Sequence, residues 1–336
     1  MKSILLAISC LFYSVQVFAL PEATLNQRYA SEVVPFMQKG QWGWFAGAKG
    51  ANLRYAQFIN PDASDTIVIV DGQSEFIEKY SELIYDFYGH GHSVAIYDHR
   101  GQGLSSRLAP TLDMCHVDEF DDYVDDLSTF VETVVQRPAS LLVSRPLIMF
   151  AHSMGGGIGA KYLQRNPTIF DAVIFSSPMM GINTAPFSEN VAFAIATVGV
   201  KSGFGKHFAL TQKGYVRSDS IEKSTVTHSQ TRIDIKNYWN DQNPQLRLGG
   251  PSYKWVYETM KSTKKMRSEP IAFQGPILLL KAGQETYVQP EYETAYCKNA
   301  TNCTELNYPN ARHEIFNEVD AIRDDALNTL FKFLDK

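Results

Sequence analysis

The sequence predicts an α/β protein: a mostly parallel central sheet, helices on both faces, and one inserted, mainly helical cap. Three observations carry that expectation. Short apolar runs alternate with amphipathic helical patterns from Thr66 to Ser176, as crossover-connected strands require. The alternation stops between Pro178 and Phe273 and resumes at Pro276. One apolar run, Leu147–Phe150, turns into a helical pattern through a serine set among small residues. Strands covered on both faces read as unbroken apolar runs rather than as alternating ones, and these do.

Each element follows in order. Lys2, the apolar Ile4–Val17 and the small residues around Ala19 have the layout of an export signal cleaved after Ala19. Ala7-Ile8-Ser9 is a poor match to a lipid-attachment signal at Cys10, and a retained anchor is the remaining alternative. No later segment approaches the ~18–20 apolar residues of a spanning helix. Tyr29–Gln38 reads as a short helix. Trp42–Phe45 and Leu53–Phe58 read as a strand pair across Gly47-Ala48-Lys49-Gly50. Thr66–Val70 and Val94–Tyr97 are buried strands, with Phe76, Tyr80, Leu83, Ile84 and Phe87 at helical spacing between them. Phe120, Val124, Leu127, Val131 and Val135 mark one face of an acidic helix. After the serine corner a helix runs to about Asn166, and Ala172–Ser176 is the next strand. Pro276–Lys281 and Thr304–Tyr308 are the last strands, and Ala321–Leu334 is the closing helix. The expected organisation is thus signal 1–19, core 20–177, inserted cap 178–273 and core 274–336.

A chain of 336 residues, 44% hydrophobic, can bury a large core. A net charge of -5 without a basic patch argues against a nucleic-acid partner; Lys261–Arg267 reads as a solvated helix face. With Cys10 removed, Cys115, Cys297 and Cys303 remain. The short spacing of Cys297 and Cys303 suits a local disulfide in an exported protein, leaving Cys115 as a small buried side chain. No Cys/His cluster has metal-ligand spacing, and no cofactor is expected.

The serine corner carries the chemistry. In Ala151-His152-Ser153-Met154-Gly155-Gly156 a strand turns sharply into a helix, with Ser153 at the apex as nucleophile. A serine hydroxyl needs a histidine to take its proton, and the histidine needs a carboxylate to fix its tautomer. Of eight histidines only His313 follows the last strand, so it is the candidate base; His152 reads as structural. In the turn after Ile277–Lys281 the only carboxylate is Glu285, the candidate acid, with Asp241 and Glu291 as alternatives. The developing oxyanion needs two N–H donors; by position they are the backbone amides of Met154 and Gln73.

Together these residues resemble a known family. Asp98-His99-Arg100-Gly101-Gln102-Gly103-Leu104-Ser105, the Ser153 corner and Ala311-Arg312-His313-Glu314 are similar to the lysophospholipase L2 and monoacylglycerol lipase group of α/β-hydrolases. Thr227–Arg232 and Leu246–Trp255 resemble the cap of the bacterial lysophospholipase L2 branch, and the likeness runs from about Trp44 onward. The resemblance implies the α/β-hydrolase fold and metal-free hydrolysis of the single acyl ester of a lysophospholipid or monoacylglycerol. It also implies a triad of Ser153, Glu285 and His313. Glutamate stands where the family has aspartate, and Asp71-Gly72-Gln73 replaces its His-Gly or Pro-Gly. Phe187, Val191, Phe193, Ile195, Val198 and Phe204 offer apolar surface for an acyl channel, and Arg247 is a candidate phosphate contact. Asp98 and Arg100 are expected to fix loops. The expected setting is the bacterial envelope, periplasmic or secreted, with transient membrane-surface contact. The rival activities are acyl transfer and short-chain ester hydrolysis; a non-catalytic lipid-binding protein is the rival class.

Overall fold

The computed structural model describes residues 19–136 and 145–336. The export-signal reading falls on residues 1–19 and, Ala19 apart, lies outside them.

The described residues open with α1 (Glu22–Arg28), a π-type turn and α2 (Val34–Met37). The expected helix thus starts earlier, at Glu22, because buried Leu25 extends the four-residue stripe of Tyr29, Val33 and Met37. β1 (Gln41–Ala46) and β2 (Asn52–Phe58) form the antiparallel pair. After β3 (Thr66–Val70) the helix also departs from expectation. Glu75 stays in the loop, a 3-10 turn covers Ile77–Tyr80, and α3 is Ser81–Gly89. The cause is local: the Glu75 carboxylate accepts from Gly72 N, Lys79 Nζ and Tyr80 Oη, which holds the segment in a tight turn. β4 (Ser93–Tyr97), α4 (Asp121–Phe130), β5 (Leu147–His152), α5 (Met154–Arg165) and β6 (Ala172–Ser176) follow.

The inserted segment holds α6 (Glu189–Gly199), α7 (Gln230–Gln242) and α8 (Tyr253–Ser268). Ser188, Ser229 and Ser252 cap these helices, each accepting from the amide three residues on, a bond worth about 1 kcal/mol apiece. The chain returns through β7 (Ile277–Ala282), α9 (Pro290–Asn299), β8 (Cys303–Tyr308) and α10 (Asp320–Leu334). Helix α9 has only a weak apolar stripe and went unread in the sequence. The cysteines at its end and at the start of β8, Cys297 and Cys303, are joined in a disulfide. Cys115 is free and buried, and burial pushes its thiol up to about 12.

The strands form one sheet in the order β1-β2-β4-β3-β5-β6-β7-β8, in which only β2 runs against its neighbours. Side chains alternate across the pleat, so the core divides in two. Val68, Tyr97, Met149 and Phe175 face α4 and α5; Ile69, Ile96, Phe150 and Leu280 face α1, α3 and α10. The cap straddles this sandwich. Helix α8 is tied to α5 by Lys161–Ser262 (2.8 Å) and Gln164–Met266 (3.0 Å). Helix α7 is tied to the other side by Arg232, which donates to Glu82 at 2.9 Å and to the Glu318 carbonyl at 2.8 Å.

Candidate active site

Six adjacent parallel strands, β4, β3, β5, β6, β7 and β8, end at one rim of the sheet, and the site is assembled there. β5 leads into Ser153, whose φ of 51° and ψ of -119° lie where L-residues are strained. Neighbouring chain over-determines the turn: Ser153 N donates to the Ser176 carbonyl at 3.1 Å, and Met179 N donates to the Ser153 carbonyl at 2.8 Å. Glycine is required just beyond. A Cβ on Gly155 would overlap the Val70 carbonyl oxygen, and one on Gly156 would meet Pro178.

His313 hangs in the loop after β8, its Nε2 2.8 Å from Ser153 Oγ and its Nδ1 2.6 Å from Glu285 Oε2. Gln284 N donates to the Ala311 carbonyl at 2.9 Å, so the turn after β7 and the His313 loop are pinned together. Glu285 folds back over its own turn. Its Oε1 accepts from the amides of Thr286 (2.8 Å), Tyr287 (2.6 Å) and Val288 (3.3 Å), which leaves Oε2 aimed at His313. Burial pushes this carboxyl up, yet the His313 bond and charge and the turn amides outweigh it and leave it below its ordinary value. The fallback acids lie elsewhere. Asp241 pairs with Arg217 at 2.5 Å, and Glu291 is exposed on α9.

Gln73 and Met154 both line the cavity above Ser153. Among the described residues neither backbone N–H donates to a protein acceptor, so both are free for a ligand. The Gln102 amide clamps the peptides on either side of Gln73: Nε2 donates to the Gly72 carbonyl at 2.7 Å, and Oε1 accepts from Ser74 N at 3.3 Å. Sequence reasoning passed over Gln102, although it sits inside the quoted Asp98–Ser105 run. The other members of that run fix loops as expected. Asp98 accepts from Arg54 (2.8 Å), Ile77 N (2.9 Å) and Leu104 N (2.9 Å), and Arg100 bonds Asp126, Asp122 and the Ala48 carbonyl.

Beneath the site lies a charged cluster with no sequence signature beyond a lysine in an apolar stripe. Lys79 is buried between Glu75 and Glu314, the latter at 2.7 Å. His152 packs its ring 4.9 Å from that of His313, its Nδ1 3.0 Å from the Ser176 carbonyl. Burial pulls this imidazole down to about 4, so it is neutral at pH 7 and structural, as read.

Ser153 and His313 open onto a cavity of about 550 Å³, the size of a small-molecule site. Phe187, Ala192, Ile195 and Ala196 from the α6 region and Trp255 and Val256 from α8 make its apolar wall. The acyl-channel expectation holds in part. Phe187 and Ile195 line this wall, Phe193 stacks on Tyr257, and Val191, Val198 and Phe204 face solvent. The Arg247 expectation needs correction. Its guanidinium bonds the Asn240 carbonyl (3.1 Å) and Asp241 (3.2 Å) and lies over the Tyr215 ring, outside the cavity lining. The carboxylate and ring of its own surroundings draw it away. Among the described residues no group of His, Cys, Asp or Glu has metal-binding geometry.

Comparison with known proteins places this architecture. The Hydrolase_4 profile, described as serine aminopeptidase S33, matches residues 61–320. The chain is 31% identical over 320 residues to a probable lysophospholipase L2 of Haemophilus influenzae, covering 94% of this chain and 98% of that one. It is 32% identical over 299 residues to lysophospholipase L2 of Escherichia coli, covering 87% and 86%. A soluble variant of monoglyceride lipase from Saccharomyces cerevisiae, solved with a substrate analogue, superposes with a TM-score of 0.68 at 19% identity, over 88% of this chain and 94% of that one. That last likeness is one of fold.

Proposed function

The chain belongs to the serine aminopeptidase S33 (Hydrolase_4) family, and from that premise we propose how it acts on single-chain lipids. It is an α/β-hydrolase and a carboxylic ester hydrolase. Its substrates are lysophospholipids or monoacylglycerols, from which it releases the fatty acid. The observation that carries the reading is the hydrogen-bonded line Ser153–His313–Glu285 opening onto a cavity with one apolar wall.

In the proposed reaction His313 Nε2 accepts the Ser153 hydroxyl proton as Oγ attacks the acyl carbonyl. Glu285 holds the Nδ1–H tautomer and stabilises the imidazolium. The Gln73 and Met154 amides take the oxyanion in a site preorganised by Gln102 and the Ser153 turn. The imidazolium then returns the proton to the departing glycerol oxygen. Water repeats the sequence on the acyl-enzyme and frees the acid and Ser153.

The exposed cap residues Val191, Val198, Phe204 and Leu210 support transient contact with the lipid surface from which substrate is drawn. The Cys297–Cys303 disulfide supports an oxidising, exported setting. The test is fatty-acid release from lysophosphatidylglycerol, monoolein and a short-chain aryl ester, with Ser153→Ala alongside. Serine-dependent release from the long-chain lipids is expected. Activity confined to the short ester would remove the lipid assignment, and transfer to an added alcohol in place of water would make it an acyltransferase.

A further inference from the structure

The cavity has a second wall unlike the first. Where α7 and the His313 loop meet the rim, its lining turns polar and charged: Lys236, Glu314 and Glu75 stand beside Val226 and Tyr287. Among the cavity-lining residues Lys236 is the one lysine or arginine. Both carboxylates here are already engaged. Glu314 and Glu75 share the Lys79 ammonium, and Glu75 also accepts from Tyr80 and Gly72 N. Lys236 has no hydrogen-bond or ion-pair partner among the described residues, whereas the other cations packed against this face, Lys79 and Arg232, are paired. A half-buried ammonium left this way is costly, and its titration reflects that. Burial and the Lys79 charge depress it, outweighing the pull of Glu314 and Glu75. An anion entering the cavity would relieve both effects.

We propose that Lys236 is the anion-recognition point of the substrate cavity, donating to the phosphate oxygen of a glycerophosphate head group while the acyl chain lies along the α6–α8 wall. The inference rests on the ester-hydrolase reading and narrows it to phosphate-bearing single-chain lipids. It assigns to α7 the role expected of Arg247, which stands on the loop beyond the same helix and is spent on Asp241. The division follows from how the cap is anchored. Helix α8 rides on α5 and brings apolar side chains; α7 rides on α3 and brings the cation.

The test compares kcat/KM for 1-oleoyl-lysophosphatidylglycerol and monoolein, which share a chain and an ester, in wild type, Lys236→Met and Lys236→Arg. For Lys236→Met the ratio of the phosphate-bearing lipid to monoolein should fall about 10-fold or more, the usual worth of a hydrogen bond to a charged group. Lys236→Arg should recover most of the ratio. Binding of sn-glycerol 3-phosphate to the wild type, read by calorimetry, should weaken by a similar factor in Lys236→Met and be sensitive to salt. An unchanged ratio, or equal losses on both lipids with unaltered glycerol 3-phosphate binding, overturns the inference and leaves Lys236 as a counter-charge for Glu314. Failure of the wild type to hydrolyse either lipid overturns the lipid assignment of the proposed function instead, and the glycerol 3-phosphate titration still decides the role of Lys236.

Discussion

Glutamate can stand where aspartate is usual because its extra methylene is used up in folding back. Glu285 Oε1 is held by three amides of its own turn, and Oε2 reaches His313 at 2.6 Å. Glu285→Gln keeps the shape but can present an N–H to Nδ1 and favour the wrong tautomer. It should lower kcat by about 10³–10⁴-fold with the fold intact, judged by stopped-flow ester hydrolysis and circular dichroism. Glu285→Asp shortens the side chain, so it cannot span both its turn and His313; a loss of about 100-fold is expected, as for a 1 Å misplacement. Gln102 acts one step further out, on the peptides flanking Gln73. Gln102→Ala should cut kcat more than it raises KM, since the oxyanion is bound only in the transition state. A change in KM alone would assign it to substrate binding. At this scale much was legible. Ser153 is announced by its small neighbours and His313 by its place after the last strand. Gln102, Lys79 and Lys236 were not, because their roles depend on which loops meet in space, and one chain without its fold does not record that.

Among the elements, the turn from β5 into α5 and the tie between α9 and β8 make separate demands. Gly155→Ala would drive a methyl into the Val70 carbonyl on the neighbouring strand, where backbone cannot yield cheaply. Loss of soluble protein, or a melting temperature many degrees lower, is the expected result, against a near-neutral Gly205→Ser, whose helical backbone suits any residue and whose Cβ would meet only Lys254 at 3.6 Å. The Cys297–Cys303 bond closes a short loop, so reduction should cost only about 2 kcal/mol by the loop-closure relation. Thermal melts with and without dithiothreitol should differ by a few degrees, and activity should survive because the bond lies away from Ser153. The eight strands of the described residues were readable, most of them from apolar runs and the turn residues that bound them. The misread elements are those where side-chain chemistry overrides periodicity: Glu75 holds the start of the α3 region in a tight turn, and α9 presents few apolar residues to read.

Across the whole molecule, buried titratable groups tie stability to pH. Burial pulls His99 down to about 3 and His152 to about 4. Between those values and the ~6.5 of free histidine, the unfolded chain binds a proton that the folded chain refuses. Their contribution is therefore complete above pH 6.5 and is lost as pH falls. Asp71 and Glu293 are pushed up by burial and act in the opposite sense, which flattens the total curve. The histidine part is isolated by comparison. From pH 6.5 to 5 the stability advantage of wild type over His99→Gln should shrink by about 2 kcal/mol, measured by urea unfolding at each pH. A constant gap would mean that His99 titrates alike in both states.

The insertion between β6 and β7 has one more consequence. Ser153, Glu285 and His313 all descend from strands outside it, while the apolar wall of the cavity and the Lys236 of the other wall belong to it. Reactivity and selectivity thus occupy different stretches of the gene. Recombination at the ends of β6 and β7 could exchange one molecular appetite for another in a single event, with the proton relay carried along untouched. Lineages sharing this sheet would then diversify by trading caps, and a chimaera made at those two joints would inherit its diet from one parent and its reaction from the other.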